Sequence, residues 1–300
     1  MLPENYIVNS LWIGKRLSEL ELLTINSFLN NGHQFILWIY DDIITPLPDA
    51  LIVRNACEII PKDKVFQYRF KNQFDHGKGS YAGFSDIFRY KLLYEYGGWW
   101  VDMDVTCLKP FHFNTPYVFR THHDLKMVGN IMKCPPKSGL MKLCYERASS
   151  QVTANNRDWN KPIRILNDTI LEFDLSEYIL DFSNRDSWDV VRKFISCDAE
   201  IPGSWVAIHW VNEEWRRNKI DKKYSGKESV LRKLLIKNGV PPGSLHRIRH
   251  LTNAWRLTVF SFPFRYYYSL KYLPKYVWNK YGTFLWGYVD YYIKKYSKKS

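Results

Sequence analysis

The sequence predicts an α/β protein built on a mostly parallel sheet with helices on its faces. Apolar strand-like runs alternate with amphipathic helical stretches, and this alternation is typical of such a sheet. Polar and glycine residues follow two of the runs, at Trp12–Gly14 and at Asp102–Asp104. Ligands of open α/β sheets bind beyond the carboxyl ends of strands, so we expect both segments to lie at one binding edge.

The N-terminal elements follow directly from the residue pattern. Residues 6–13 form the first predicted strand. Ser18 and Glu21 have the spacing of a capping box, an apolar helical stripe follows, and Gly32 is placed to end that helix. Two further strands are predicted, within residues 35–40 and 50–60.

The middle of the chain is predicted to contain a long polar loop over residues 61–84 and a helix over residues 85–96, with Ser85 as its N-cap. The helix leads into a glycine pair and an apolar strand that ends in Asp102–Asp104. Side chains alternate along a strand, so we expect both acids on one side. The later predictions are strands within 117–120, 128–133 and 205–210, helices over 139–148 and 229–238, and a partly helical region over 150–200.

Length and composition limit the number of domains and the classes of protein to which the chain can belong. A chain of 300 residues is long enough for one large domain or two small ones. The N-terminus lacks the basic and apolar regions of a secretory signal, and no run reaches the ~18 apolar residues of a membrane span. The five cysteines are scattered, with neither a zinc spacing nor a disulfide framework. We therefore expect reduced thiols and a cytoplasmic protein.

The C-terminal tail is strongly basic. The net charge is +13, and from Phe264 onward eight lysines and arginines stand against the single acid Asp290. We predict a main domain over residues 1–255 and a helical basic-aromatic tail over 256–300. Tyrosine and tryptophan interleaved with lysine are typical of an interfacial membrane helix, and the same mixture is compatible with nucleic-acid binding.

The most specific motif spans residues 85–104. It has the pattern S-D-x-x-R, a helix, then G-G-x-aromatic-x-D-x-D, in which several residue types fall at fixed offsets. Two carboxylates just past a glycine turn are suited to hold a hard divalent cation through oxygen ligands. A nucleotide diphosphate could supply the remaining ligands. The motif consists of Ser85, Asp86, Arg89, Gly97, Gly98, Trp100, Asp102 and Asp104.

This pattern resembles the DXD signature of the GT-A glycosyltransferases in the glycosyltransferase 32 group. That group includes bacterial capsule and lipopolysaccharide enzymes and, more distantly, the catalytic domains of the large clostridial glucosylating toxins. The resemblance covers residues 6–215 and implies a GT-A, Rossmann-like fold. It also implies that a hexose passes, with retention of configuration, from a nucleotide sugar (a UDP-sugar is favoured) to a hydroxyl of a glycan or lipid-linked glycan in bacterial surface polysaccharide synthesis.

The resemblance also implies the catalytic and metal-binding residues. Asp102 and Asp104 would bind Mn²⁺ or Mg²⁺. Asp86 and Arg89, three residues apart on one helical face, match residues that contact the donor sugar, and these four residues form the predicted catalytic set. In the family, a late histidine or acid is often the third protein ligand of the metal. Two candidates for that position are His209 and, as a substitute, Glu213.

The donor-binding residues are implied in the same way. Trp12, with Ile13 and Gly14, resembles the family's W-I-G element, whose tryptophan stacks on the uracil base. Trp100 stands where relatives have a tyrosine near the donor, and Asn130 matches an asparagine that lines the donor or acceptor pocket. The whole predicted donor-binding set is Trp12, Ile13, Gly14, Ser85, Asp86, Arg89, Trp100 and Asn130.

Enzymes similar to this one often use lipid-linked acceptors, which favours a membrane over nucleic acid as partner of the tail. We therefore expect a cytoplasmic protein, peripheral on the inner face of the cell membrane, that binds an anionic membrane surface and no nucleic acid. Two alternatives stay open at this point. One is a toxin-like enzyme that glycosylates a protein, and the other is a non-catalytic module that binds anionic lipid or nucleic acid.

Overall fold

The computed structural model of the chain describes residues 5–74 and 77–259. The chain divides after His246 into two compact units. The first is a mixed α/β unit with a mostly parallel sheet flanked by helices, which confirms the predicted fold class and is consistent with a GT-A fold. In the second unit the described residues form one helix. The predicted division after residue 255 stays a prediction.

Strands and helices alternate along the described residues. The strands are β1 (Ile7–Trp12), β2 (Gln34–Ile39), β3 (Ile52–Asn55), β4 (Gly98–Val101), β5 (Val105–Cys107), β6 (Val118–Thr121), β7 (Met127–Cys134), β8 (Ile179–Leu180) and β9 (Ala207–His209). The α-helices are α1 (Glu19–Asn30), α2 (Ala82–Tyr96), α3 (Gly139–Gln151), α4 (Lys161–Glu172), α5 (Trp188–Ser196), α6 (Asn212–Arg217), α7 (Val230–Lys237) and α8 (Arg247–Val259).

The described strands form a seven-stranded sheet in the order β3-β2-β1-β4-β7-β6-β8 and a two-stranded sheet of β5 and β9. Four of the six pairings in the large sheet are parallel, and the pairings of β7 with β4 and with β6 are antiparallel. Parallel β1 and β4 lie side by side, with Val8 opposite Trp99. Their carboxyl ends therefore open on the same edge of the sheet.

Both faces of the large sheet are covered. Trp99 and Trp100 are fully buried and belong to different hydrophobic clusters, because successive side chains of β4 point to opposite faces. The cluster around Trp100 includes apolar residues of α2, α3 and α4, and the cluster around Trp99 includes residues of α1. The edge that carries the two polar segments is thus set between two packed layers.

Most predicted elements are confirmed within one to three residues, and the capping box of α1 is present, with the Ser18 amide donating to Glu21 Oε2 at 2.7 Å. The predicted start of α2 was wrong. The Ser85 amide donates to the Tyr81 carbonyl at 2.8 Å, so the helix begins at Ala82 and Ser85 lies one turn inside it.

The strand predicted to end in Asp102–Asp104 stops earlier, at Val101. The segment is a short turn in which the chain leaves the large sheet and enters β5 of the small one. Both acids nevertheless face the same site. The region over residues 150–200 contains α4 and α5, as its helical reading predicted.

The basic-aromatic tail from residue 260 lies outside the described residues. None of the helices that the structure does describe is both long and apolar enough to cross a membrane. The five cysteines all lie within the described ranges, and there they form no disulfide.

Candidate active site

A cleft of about 790 Å³ opens at the carboxyl ends of β1 and β4. Its volume lies in the range of small-molecule and cofactor sites. Both segments that the sequence placed at this edge, Trp12–Gly14 and Asp102–Asp104, contribute to the wall. The predicted residues that line it are Trp12, Ile13, Ser85, Asp86, Arg89, Trp100, Asp102, Asp104, Asn130, His209 and Glu213.

Asp102, Asp104 and His209 form a group that fits a metal ion. Each offers a ligand atom, and these atoms lie within 4.8 Å of one another. His209 reaches the site because β9 pairs antiparallel with β5, which places Val105 opposite His209. Two carboxylates and an imidazole suit a divalent cation such as manganese. Glu213 is not part of this group, and its carboxylate accepts a hydrogen bond from Arg216 at 2.9 Å.

Hydrogen bonds to the backbone hold the two aspartates in place. The Asp102 amide donates to the Asn130 carbonyl at 2.9 Å, and the Trp210 amide donates to the Asp104 carbonyl at 2.8 Å. The Asp104 carboxylate also accepts from the Asn212 amide at 2.7 Å. The carboxylates are therefore presented by a turn that is fixed from both sides, an arrangement that preorganises ligands for an ion.

Arg89 joins the two predicted acid pairs into one cluster. Its Nη2 lies 3.3 Å from Asp86 Oδ1 and 3.1 Å from Asp102 Oδ1, and the guanidinium lies 5.2 Å from the centre of the Trp100 ring. The Trp100 indole donates to Asp102 Oδ1 at 2.8 Å, so tryptophan at this position supplies a hydrogen bond of its own. Arg89 is buried, and the ion pair is internal rather than a surface contact.

The environment separates the pKa values of the site groups. Burial raises the pKa of Asp102, and Arg89 opposes this effect only in part. Burial likewise raises the pKa of Asp86 to about 6. Burial acts on Asp104 in the same sense, but His209 beside it brings the pKa of that carboxyl below its usual value. Burial alone would lower the pKa of His209, and its carboxylate neighbours overcome this and raise it to about 10.

Trp12 and Ile13 of the W-I-G element also line the cleft. Trp12 is half-buried, and its indole Nε1 has no hydrogen-bond partner among the described residues. Gly14 has a φ of +143°, and a Cβ added there would lie 3.4 Å from Trp12 Nε1. Glycine thus provides a conformation that other residues rarely adopt and leaves room beside the indole. Ile13 packs against the hydrophobic cluster beneath.

Sequence reasoning did not single out Asp186, which lines the cleft, or Arg120, which lies behind it. Both are buried and form an ion pair, and Asp186 also contacts His209. The only sequence signal is a short run of turn-forming residues around Asp186. Arg120 was predicted only as part of a strand, where nothing distinguishes it from a surface arginine.

Residues 24–122 match the family model described as "Glycosyltransferase sugar-binding region containing DXD motif". The match covers about a third of the chain and includes the segment from Ser85 to Asp104. It supports a glycosyltransferase activity and, because enzymes with this motif generally use a divalent metal, it agrees with the cluster of Asp102, Asp104 and His209. A comparison with curated proteins finds no match.

The solved structures that are similar to this chain include the following two. One is "PaToxG Glycosyltransferase", with 12% sequence identity and a TM-score of 0.40 over 84% of this chain and 83% of that one. The other is a transferase solved as a double cysteine-to-serine mutant. It has 10% identity and a TM-score of 0.37 over 68% of this chain and 94% of that one.

Proposed function

We propose that the protein is a metal-dependent, retaining glycosyltransferase that moves a hexose from a nucleotide sugar, preferably a UDP-sugar, to a hydroxyl of a glycan or lipid-linked glycan. One observation carries the proposal: a cluster of two aspartates and a histidine lies in a cleft of nucleotide-sugar size. We further propose the glycosyltransferase 32 group as its family and bacterial surface polysaccharide synthesis, of capsule or lipopolysaccharide, as its setting.

In this proposal, different residues of the cleft bind the base, the sugar and the metal ion. Trp12 stacks on the base, and its aromatic face binds any base plane. Asp86 and Arg89 bind the sugar, with the arginine fork suited to hydroxyl and phosphate oxygens. Asp102, Asp104 and His209 hold the cation, which when bound neutralises charge on the diphosphate. Mn²⁺ fits this mixed oxygen and nitrogen donor set, and Mg²⁺ is the alternative.

Retention of configuration is part of the proposal and rests on the resemblance to the glycosyltransferase 32 group. Asp86 is buried against Arg89, and Asp102 and Asp104 are taken by the cation site. None of these acids is free to serve as the nucleophile of a double displacement. We therefore propose same-face attack, in which the acceptor oxygen bonds to the anomeric carbon, the bond to the diphosphate breaks, and the departing phosphate oxygen takes the acceptor's proton.

We also propose that the enzyme works in the cytoplasm at the inner face of the membrane. The basic tail is the first reason to propose an anionic membrane as partner, and helix α8 provides a second. Ile248, Leu251 and Trp255 are 69%, 60% and 48% exposed, and their spacing places them along one side of the helix. Arginines stand on both sides of this stripe, and the helix contains no acid. Apolar stripes with basic borders suit an anionic lipid surface.

Purified protein incubated with a panel of UDP- and GDP-sugars tests the catalytic proposal. We expect Mn²⁺-dependent release of the nucleotide for one donor, and a loss of at least about 100-fold in Asp104→Asn, because a lost metal contact costs several kcal/mol. Asp198→Asn, an exposed aspartate paired with Lys233, is the matched control. Turnover that needs no divalent metal, or that survives in Asp104→Asn, would refute the proposal.

The same assay separates the alternatives. Donor hydrolysis together with labelling of a protein in lysate, and no transfer to glycans, would favour a toxin-like enzyme. Vesicle or nucleic-acid binding without any donor hydrolysis would favour the non-catalytic module. Transfer to a saccharide or lipid-linked acceptor supports the function proposed here.

A further inference from the structure

The turn of residues 183–186 is hydrogen-bonded to the backbone of His209. Asn184 Nδ2 donates to the His209 carbonyl at 2.8 Å, and the His209 amide donates to Asn184 Oδ1 at 2.9 Å. Two residues of the turn, Arg185 and Asp186, have φ values of +48° and +62°. Such conformations cost energy and persist where the surroundings enforce them, often at functional sites. Two consecutive residues of the turn beside His209 thus adopt the left-handed conformation.

The turn also holds the imidazole ring. His209 Nδ1 lies 2.6 Å from Asp186 Oδ1, and Nε2 lies 3.1 Å from Asp104 Oδ2. An ionised carboxylate can only accept a hydrogen bond, so the short contact to Asp186 places a proton on Nδ1. The contact to Asp104 likewise places a proton on Nε2, and a cation bound at Nε2 would displace that proton. Asn130 Nδ2 also lies 2.9 Å from Nδ1. The ring is then oriented with Nε2 toward Asp104, where a cation held by Asp102 and Asp104 would find it.

Asp186 is fixed from behind by a fully buried arginine. Arg120 pairs with Asp186 Oδ1, donates from Nη1 to Ser183 Oγ at 2.8 Å, and donates from Nε to Asn130 Oδ1 at 2.9 Å. The last bond fixes the Asn130 amide, whose Nδ2 lies 3.3 Å from Asp186 Oδ2. All three nitrogens of the guanidinium are thus engaged in holding the turn and its carboxylate against the histidine.

We propose that Asp186 is a positioning carboxylate that sets the tautomer and orientation of His209 for binding a divalent cation. Arg120 and Asn130 hold Asp186 in place for this role. A histidine ligand commonly donates its other ring nitrogen to a carboxylate, which increases its basicity and restricts its rotation. The inference rests on the proposed metal-dependent function, but it concerns the affinity for the metal rather than the chemistry of transfer.

Asp186→Asn in the full-length chain tests the role, with Mn²⁺ affinity measured by isothermal titration calorimetry. We expect Mn²⁺ to bind about 10- to 100-fold more weakly, the usual effect of removing such a partner. Asp181→Asn is the matched control, because it removes the charge of an exposed aspartate on the same segment that pairs with Arg185. An unchanged Mn²⁺ affinity in folded Asp186→Asn would overturn the proposal.

A double-mutant cycle distinguishes positioning from a general structural effect. In a His209→Gln background, Asp186→Asn should weaken Mn²⁺ binding no further, because its effect passes through the imidazole. An equal loss in both backgrounds would contradict the proposal. If neither Asp104→Asn nor His209→Gln changes Mn²⁺ affinity, the metal site itself is misplaced. That outcome differs from failure of the inference about Asp186 alone.

Removing Asp186 leaves the buried Arg120 unpaired, so Asp186→Asn could fail to fold. A measurement on the unmodified chain covers that case. In protein labelled with ¹⁵N-histidine and loaded with diamagnetic Mg²⁺ or Cd²⁺, we expect His209 to keep its proton on Nδ1 and to show a metal-induced shift at Nε2. His209→Gln assigns the signals. A metal shift at Nδ1 would refute the proposed orientation.

Discussion

Arg89 and His209 are the cationic partners of three acids in the cleft, Asp86, Asp102 and Asp104. With all five ionised, the cluster carries two positive and three negative charges, a net charge of −1. Bound nucleotide diphosphate would face this negative charge, whereas a divalent cation that displaces the Nε2 proton of His209 would bring the net charge to 0. The electrostatics of the residues therefore favour binding of metal and diphosphate together over binding of either alone.

This charge balance predicts reciprocal coupling between Mn²⁺ and UDP. We expect saturating Mn²⁺ to tighten UDP binding about 5- to 150-fold, the range of typical coupling energies, and UDP to tighten Mn²⁺ binding by the same factor. Calorimetric titrations of each ligand with and without the other measure both factors. Uridine is the control, because it has no phosphate and should bind independently of Mn²⁺. Equal affinities of UDP in the presence and absence of Mn²⁺ would contradict the electrostatic argument.

Asp86 is a residue at which function and stability should oppose each other. Burial raises its pKa in the folded protein from 3.8 to about 6. The folded state therefore binds this proton more tightly than the unfolded state, so the contribution of Asp86 to stability is full below pH 4 and is lost as the pH rises to 6. Asparagine resembles the protonated form and has no such loss.

We predict that Asp86→Asn raises the free energy of unfolding at pH 8 by on the order of 2 kcal/mol relative to the wild type. The variant should therefore unfold at a higher denaturant concentration. The difference should shrink at pH 4.5, where wild-type Asp86 is largely protonated. Donor hydrolysis should fall because the variant lacks the carboxylate that we propose contacts the sugar. Urea unfolding at the two pH values measures the change, and a stability difference that grows toward low pH would show the sign to be wrong.

The turn between β4 and β5 shows how elements create the site. Its Met103 carbonyl accepts from Thr24 Oγ1 of α1 at 2.9 Å, and the Met103 side chain is buried. The turn is therefore anchored to the helix on one face of the sheet, while Arg89 of α2, on the other face, pairs with Asp102. The DXD segment needs both helical layers to be in place.

Gly97, between α2 and β4, sets the direction of the strand that leads to Asp102. Its φ is +64°, and an added Cβ would lie 2.5 Å from the Pro136 nitrogen. We predict that Gly97→Ala lowers the free energy of unfolding by about 2–4 kcal/mol, from left-handed strain and overpacking together. Gly32→Ala isolates the first effect, because Gly32 has a φ of +81° and no atom within 4 Å of an added Cβ.

Urea unfolding of both variants measures the difference. Equal destabilisation by the two substitutions would show that the contact with Pro136 contributes nothing. A larger effect of Gly97→Ala than of Gly32→Ala would show that close packing at the helix–strand junction supports the site.

Sequence alone predicted the elements around the site because their signals are local. Apolar alternation, the capping box at Ser18 and the glycines after α1 and α2 are each read within a few residues. The start of α2 was missed because Tyr81 makes no side-chain cap, and its helical role depends on backbone contacts alone. The early end of β4 was missed because apolar and acidic residues go on alternating from Val101 to Val105, through the turn, as they would along a strand.

Asp186 could not be predicted because its importance comes from contacts that are distant in sequence. Its partner His209 lies 23 residues further along the chain and Arg120 lies 66 residues earlier. A sequence pattern gives the residue types and the turn. It does not show which buried arginine or histidine will form an ion pair with which acid. His209 could be predicted as a candidate metal ligand because resemblance, rather than spacing, indicated it, and the structure places it beside Asp102 and Asp104.

At the scale of the whole molecule, charge is unevenly placed. The segment after Phe264 has eight basic residues and one acid, so it carries a net charge of +7 out of the chain's +13. Helix α8, which precedes it in the sequence, has further arginines and an exposed apolar stripe. The candidate active site, by contrast, is lined by acids. This division predicts that lipid binding and donor hydrolysis can be lost independently of each other.

We therefore predict that the full-length chain binds vesicles containing phosphatidylglycerol more tightly than neutral phosphatidylcholine vesicles, and that raising the salt concentration weakens the binding because exposed charges are screened.

Replacing both Ile248 and Leu251 with glutamate should reduce vesicle binding strongly, because the charges oppose burial of the stripe. Donor hydrolysis in solution should be unchanged, since the cleft contains neither residue. Co-sedimentation measures the binding. Ile236→Glu, at an exposed apolar residue of α7, is the matched control, and an equal loss in this control would show that the effect of α8 is not specific.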